Sequence, residues 1–370
     1  MHFEYIASEL ITEIFLHCVS ISDVLALSST CHRFRHIFNS SKKLPILEHA
    51  AELQYGPLQD AVQLLTQNAS QPAHLVRSVP FTFSLLRQIV HVGSIAERWA
   101  DIYPFKKWKH NFEDRRLLTN LERYRFRRAL YRLWLYSRAF HAPSHRRETR
   151  MLTLIITERA DLLHNFTTPE LAEMADVHAV LRDVIHSNIC PSNGTIARKF
   201  KKRYPDGESH NQLLFNIHLN YPPPPPAAPF LNSGFHNPSA LANHYSPHGF
   251  HAPSSSAAAS SKYLTQRYTH TATHEVGAEG WGDDIPHYYV VEDMLKLDPE
   301  QILWLKECAP LRAQVEDFIR GLPGGREWFD NNGETWGQTM EWVLRGRGED
   351  VGEVLGAVAE GELGVAVVED

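Results

Sequence analysis

Between residues 5 and 39 the apolar positions fall into three short helical stripes. In the first, Leu10, Ile11, Ile14, Phe15 and Cys18 recur at helical spacing, with Ser8 placed to cap the helix and Glu9 suited to its first turn. Ser22 and Asp23 open a second helix, with Val24, Leu25 and Leu27 turned inward. Ser29 or Thr30 opens a third, carrying Cys31, Phe34, Ile37 and Phe38. A unit this small buries too little apolar surface to stand alone, so it needs a partner or the rest of the chain.

Residues 44–217 read as helix nearly throughout, with helices expected near 46–54, 58–68, 83–99, 114–140, 149–164, 169–187 and 195–203. Pro45, Pro57, Pro80 and Pro104 punctuate this region, and Thr168-Pro169-Glu170 offers a cap followed by an N1 proline. The pattern then lapses. Residues 219–275 are rich in Pro, Ser, Ala and His without a periodic apolar face, which predicts a disordered linker or insertion with polyproline II at Pro222–Pro226. Apolar periodicity returns within 276–345, where Asp298-Pro299-Glu300 starts a helix that Pro310 should kink or split. From about Gly346 glycine and acid dominate, which predicts a flexible tail over 346–370. No internal repeat of 20–50 residues is found.

The expected fold is therefore mostly α. A three-helix unit (1–40) leads into an irregular helical domain (41–218) that carries a disordered Pro/Ser/His-rich insertion. A C-terminal acidic helical segment (276–345) should pack back onto the helical domain.

Composition refines this picture. The 370 residues are 43% hydrophobic and 22% charged, enough for a real core. The net charge of −6 hides an asymmetry: from Glu275 onward there are 22 acidic and 7 basic side chains, while the preceding residues carry 30 basic and 21 acidic ones. The two parts are expected to attract each other. Cys18, Cys31, Cys190 and Cys308 form no close pair, which points to a reducing compartment, cytoplasmic or nuclear. No run of 18 apolar residues occurs, so no membrane span is expected, and the N-terminus lacks the features of a secretory leader.

Within the N-terminal unit the order of residue types is specific. Glu9-Leu10-Ile11, Ile14-Phe15, Asp23-Val24-Leu25 and Thr30-Cys31-His32-Arg33-Phe34-Arg35 follow one another at fixed intervals. This segment resembles the F-box family, and the resemblance covers about a tenth of the chain; the run 121–140 more loosely resembles a segment of fungal F-box proteins, and no repeat domain is recognised. The N-terminal segment departs from the family at Ala7, where a proline usually precedes the glutamate. The resemblance implies binding to the Skp-type linker subunit of a cullin ubiquitin ligase. The hydrophobic anchor would be drawn from Ile6, Leu10, Ile14, Phe15, Val24, Leu25, Leu27, Cys31 and Phe34, some of which must instead hold the three helices together. Because the motif begins near Met1, an unknown protein substrate would be recognised after residue 40. A scaffold using the same hook without ligase activity is the alternative.

Other constellations carry less. In the run 121–140, Phe126, Ala129, Leu130, Leu133 and Phe140 share one face, Arg125, Arg128 and Arg132 another, and Tyr124, Tyr131 and Leu135 a third. Arginines among aromatics suit nucleic acid, but a helix buried on two sides, its arginines reaching solvent or C-terminal acids, is the better reading. Tyr221–Pro226 suits an aromatic-lined polyproline-binding domain, although a stiff spacer is commoner. The histidine pairs His244/His248 and His270/His274 lie mostly in the expected linker, so neither metal nor cofactor is expected. Phosphate-loop, dinucleotide, hydrolase and kinase motifs are absent, and Gly321-Leu322-Pro323-Gly324-Gly325 reads as a turn. Asp283-Asp284 and Glu292-Asp293 read as a solvated face, so no enzyme is expected.

Overall fold

The computed structural model describes residues 6–203, 280–282, 284–330 and 332–367. The described residues are helical and contain no strand. The expected insertion 219–275, with its polyproline run and histidine pairs, lies outside them. The chain divides into two compact units: Met1–Val180 with Leu297–Glu300 and Thr335–Asp370, and Leu181–Lys296 with Gln301–Glu334.

The first unit opens with α1 (Ser8–Leu16), α2 (Ile21–Ser29) and α3 (His32–Phe38). Their starts differ from expectation by a residue or two. Ala7 precedes α1 without a side-chain cap; Ser20 Oγ caps α2 by accepting from Asp23 N, and Cys31 Sγ caps α3 by accepting from Phe34 N. Ser8 instead donates to Glu9, its neighbour in sequence.

Next come α4 (Lys43–Tyr55), α5 (Leu58–Thr66), α6 (Phe83–Lys107), α7 (Asn120–Phe140), α8 (Thr153–His164) and α9 (Thr168–Val184). Helix α6 runs well past its expected end with Pro104 inside its last turns. Helix α7 starts later than expected because a capping box fixes it: Thr119 Oγ1 accepts from Glu122 N, and Glu122 accepts from Thr119 N. At α9 the capping pair is Thr167 and Glu170, one residue before the predicted cap.

Residue 40 is not a boundary in the core. Ile11, Phe15, Val24, Phe34 and Phe38 are buried in one cluster with Ile46, Leu47, Ala50 and Ala51 of α4 and with Leu86 and Ile89 of α6. Three helices of seven to nine residues cannot cover their own apolar faces, and α4 serves as the floor.

The rest of this unit is built on α6 and α7. Trp99, Tyr103, Phe126, Tyr131, Trp134 and Tyr136 are fully buried, and the polar atoms of Trp99, Tyr103, Tyr131 and Tyr136 find partners within the unit. Trp99 Nε1 donates to Pro299 O at 2.9 Å, Tyr131 Oη donates to Tyr55 O at 2.9 Å, and Tyr136 Oη meets Thr339 Oγ1 at 2.9 Å.

Helix α15 (Trp336–Gly346) packs on α8, and α16 (Val351–Glu360) packs on α15. The region 346–370 therefore departs from the flexible tail expected of it. Asp350 caps α16 by accepting from Gly352 N at 2.7 Å, Gly361 closes it in the left-handed conformation, and Val354, Val358, Val365 and Ala366 are buried. A second tie is buried beneath it. Asp176 Oδ2 accepts from Tyr103 Oη at 2.5 Å and from Val365 N at 3.0 Å, while Asp176 Oδ1 accepts from Lys107 Nζ at 2.8 Å. The same ammonium donates to Val358 O at 2.8 Å.

The second unit contains the π turn Ile185–Ile189, α10 (Asn193–Arg203), α11 (Asp284–Met294), α13 (Arg312–Arg320) and α14 (Gly325–Phe329). Helix α12 (Pro299–Cys308) ends before Pro310, as the proline predicts. The expected solvated acid pair at Glu292-Asp293 is a structural one instead. Asp293 is buried and accepts from Asn332 N at 2.9 Å and Gly333 N at 2.8 Å, and Glu292 meets Arg182 at 2.6 Å. All four cysteines are free thiols. No helix among the described residues is long and apolar enough to cross a membrane.

Candidate docking surface

The nine anchor candidates separate into two groups. Phe15, Val24 and Phe34 face inward, and the Phe15 ring lies 6.1 Å from that of Phe34 and 5.7 Å from that of Phe38. Ile6 and Leu27 are half-buried against the same core. Leu10 (58% exposed), Ile14 (41%) and Leu25 (49%) face outward. Cys31 is exposed and spends its sulfur as the α3 cap.

The division follows from helix geometry. Leu10 and Ile14 are four residues apart and adjoin on one side of α1, while Ile11 and Phe15 adjoin on the next. Only the second pair meets α3 and α4. Val19, in the turn between α1 and α2, is 68% exposed and joins the outward apolar set. Its sole sign in the sequence is an aliphatic residue in a turn.

The outward residues are carried on a braced frame. Arg33 donates to Ile6 O, tying the lead-in of α1 to α3. Ile21 N donates to Gln54 Oε1 at 3.0 Å, and Lys42 Nζ donates to Thr12 Oγ1 at 3.1 Å. Burial pushes the Cys18 thiol above its ordinary value, with Asp23 adding to the effect.

The arginine stripe of α7 is largely occupied. Arg128 forms a fork on Glu173 at 2.6–3.0 Å, and Arg132 reaches Asp60 at 2.7 Å and Glu170 at 2.9 Å. Arg132 also lies over the Phe166 ring at 4.3 Å, and Arg125 stands 3.9 Å from Glu173. On the neighbouring face Arg123 and Arg127 both hold Glu97 at 2.7 Å. The expected acidic partners in the C-terminal part do not supply these carboxylates; α5, α6 and α9 do.

No family model matches this chain, and no curated protein or solved structure matches it either.

The electrostatics of the arginine cluster are those of a structural core. Burial raises the carboxyls of Asp60 and Glu173 above their ordinary values, against the pull of Arg132 and Arg128. Glu170 is half-buried, which pushes it up, but the Thr167 amide with Arg132 and Arg128 outweighs that and holds it low. A cleft of about 390 Å³ opens beside this network, bordered by Arg125, Arg128, Glu170, Glu173 and Val367. The charges along it already oppose one another. Among the described residues no group of three or more His, Cys, Asp or Glu side chains is placed to hold a metal ion.

Proposed function

We propose that this chain is a substrate-recognition subunit of an SCF-type ubiquitin ligase, hooked to the Skp-type linker by the outward face of α1 and α2. The observation that carries the reading is the split within the F-box-like residues. Phe15, Val24 and Phe34 close the core, while Leu10, Ile14 and Leu25 stay apolar and exposed on the same short helices. Covering three such side chains contributes roughly 1.5–3 kcal/mol each before the cost of association, enough to anchor a specific complex.

In this reading the chain performs no bond chemistry. It raises the effective concentration of a bound substrate near a ubiquitin-charged enzyme on the cullin. The substrate would be held by surfaces after residue 40. Nucleic-acid binding through Arg125, Arg128 and Arg132 is less favoured, because Arg128 and Arg132 already hold carboxylates.

The test is capture of a purified Skp-type linker by the full chain. The double variant Leu10→Asp/Ile14→Asp should lose capture while its melting temperature stays near that of the wild type, because exposed positions contribute within about 0.5 kcal/mol. Failure of the wild type to capture the linker, or unchanged capture by the variant, overturns the proposal. Linker bound without cullin would favour the scaffold alternative.

A further inference from the structure

Helix α10 carries Arg198-Lys199-Phe200-Lys201-Lys202-Arg203, and no acidic residue lies between Asp183 and Asp206. Its base is fixed. Trp281 N donates to Pro191 O at 3.0 Å, Asn193 N donates to Gly282 O at 3.1 Å, and Ser192 Oγ caps the helix by accepting from Thr195 N at 3.1 Å. Lys199 is also used locally, donating to Ser187 O at 3.2 Å. Arg198 is exposed and bonds Gly194 O and Thr195 Oγ1 within its own turn.

The form of this charge decides what it suits. A nucleic-acid backbone is gripped by bases spread over a surface, each neutralising a phosphate. Another dense basic stretch, α7, has Arg123, Arg127, Arg128 and Arg132 held by carboxylates, and the net charge is −6. On α10 the sequence places a short linear basic run in a segment without acidic residues. Runs of that length and density are those read by acid-lined peptide grooves of nuclear-import receptors.

We infer that Arg198–Arg203 is a nuclear-import signal whose partner is the acidic groove of an import receptor. The inference shares with the proposed ligase role only a nucleated host. Linker capture and import are read in separate assays, so either fails without the other.

The experiment expresses the full chain fused to a fluorescent protein in cultured eukaryotic cells. The wild-type fusion should concentrate in the nucleus, and Arg198→Ala/Lys201→Ala/Lys202→Ala/Arg203→Ala should lower the nuclear-to-cytoplasmic ratio severalfold. Lys199 is left in place, and an unchanged melting temperature for the purified variant shows that the fold survives. A Lys201→Arg/Lys202→Arg variant, which keeps the charge, should still enter. In vitro, the purified wild-type chain should bind a purified import adaptor in a salt-sensitive way, and the alanine variant should not. A wild-type fusion excluded from the nucleus overturns the inference. So does an alanine variant as nuclear as the wild type, or wild-type protein that binds RNA and not the adaptor.

Discussion

The C-terminal segment is held by a buried carboxylate, and removing it gives the most demanding test of the packing described above. Asp176 is 2% exposed and accepts three hydrogen bonds, from Tyr103, Lys107 and Val365. Its loss in Asp176→Ala strands two neutral buried donors, the Tyr103 hydroxyl and the Val365 amide, at about 1–3 kcal/mol each. Lys107 fares better, since it keeps Val358 O and its side chain is 13% exposed, so water partly solvates its charge. The two together come to about 2–6 kcal/mol, centred on the range of about 3–5 kcal/mol typical of a buried pair broken on one side. Asp176→Asn retains one acceptor but turns an amide N–H toward a donor, so it should lose about half as much. The assay is chemical denaturation of the full chain, followed by probes assigned to the first unit because a chain of two units need not unfold in one step. Native-state hydrogen exchange at Val365 reports the tie directly. A loss below about 1 kcal/mol in Asp176→Ala, with the Val365 amide still protected, would refute the claim that this carboxylate holds the segment.

Two further perturbations test other parts of the first unit. A Cβ added at Gly93 would lie 2.4 Å from Tyr55 Cδ1, so Gly93→Ala should destabilise by about 1–3 kcal/mol although alanine is the better helix former; a melting temperature at or above wild type argues against that close crossing of α4 and α6. Glu122 is pushed up by burial but more strongly held down by its bonds to Arg116 and Thr119, so its net shift is downward. A lowered folded value stabilises above the unfolded carboxylate range and is lost as pH falls through it. Glu122→Gln should therefore melt lower than wild type at pH 7, with the gap closing toward acid, and a pH-independent gap would contradict the ion pair.

Local patterns carried most of the helical reading, and tertiary choice decided the rest. The stripe Leu10, Ile11, Ile14, Phe15 marks α1, but its width exceeds what α3 and α4 cover. The sequence therefore names a helix without saying that Ile11 and Phe15 turn in while Leu10 and Ile14 turn out. Cys31 fits an apolar anchor by type, yet as a cap it acts through its sulfur lone pair. The arginines of α7 were legible as a stripe, but their carboxylates lie as far away in sequence as Asp60 and Glu173, and no spacing rule links them. Helix α16 had local signs that its glycine content outweighed: Asp350 at the cap, Val351, Val354 and Val358 at helical spacing, and Gly361 at the close. Its main support, Asp176, is distant in sequence.

The core shared by α1–α3 with α4 and α6 has a mechanical consequence. Packed interiors deform little and pass strain onward, so α1 has no pivot of its own within the first unit. Anything that grips Leu10 and Ile14 also sets the direction in which α6 and α7 point. The N-terminal helices therefore act as a bracket with a built-in angle, and Phe15, Phe34 and Phe38 determine that angle as much as they determine stability.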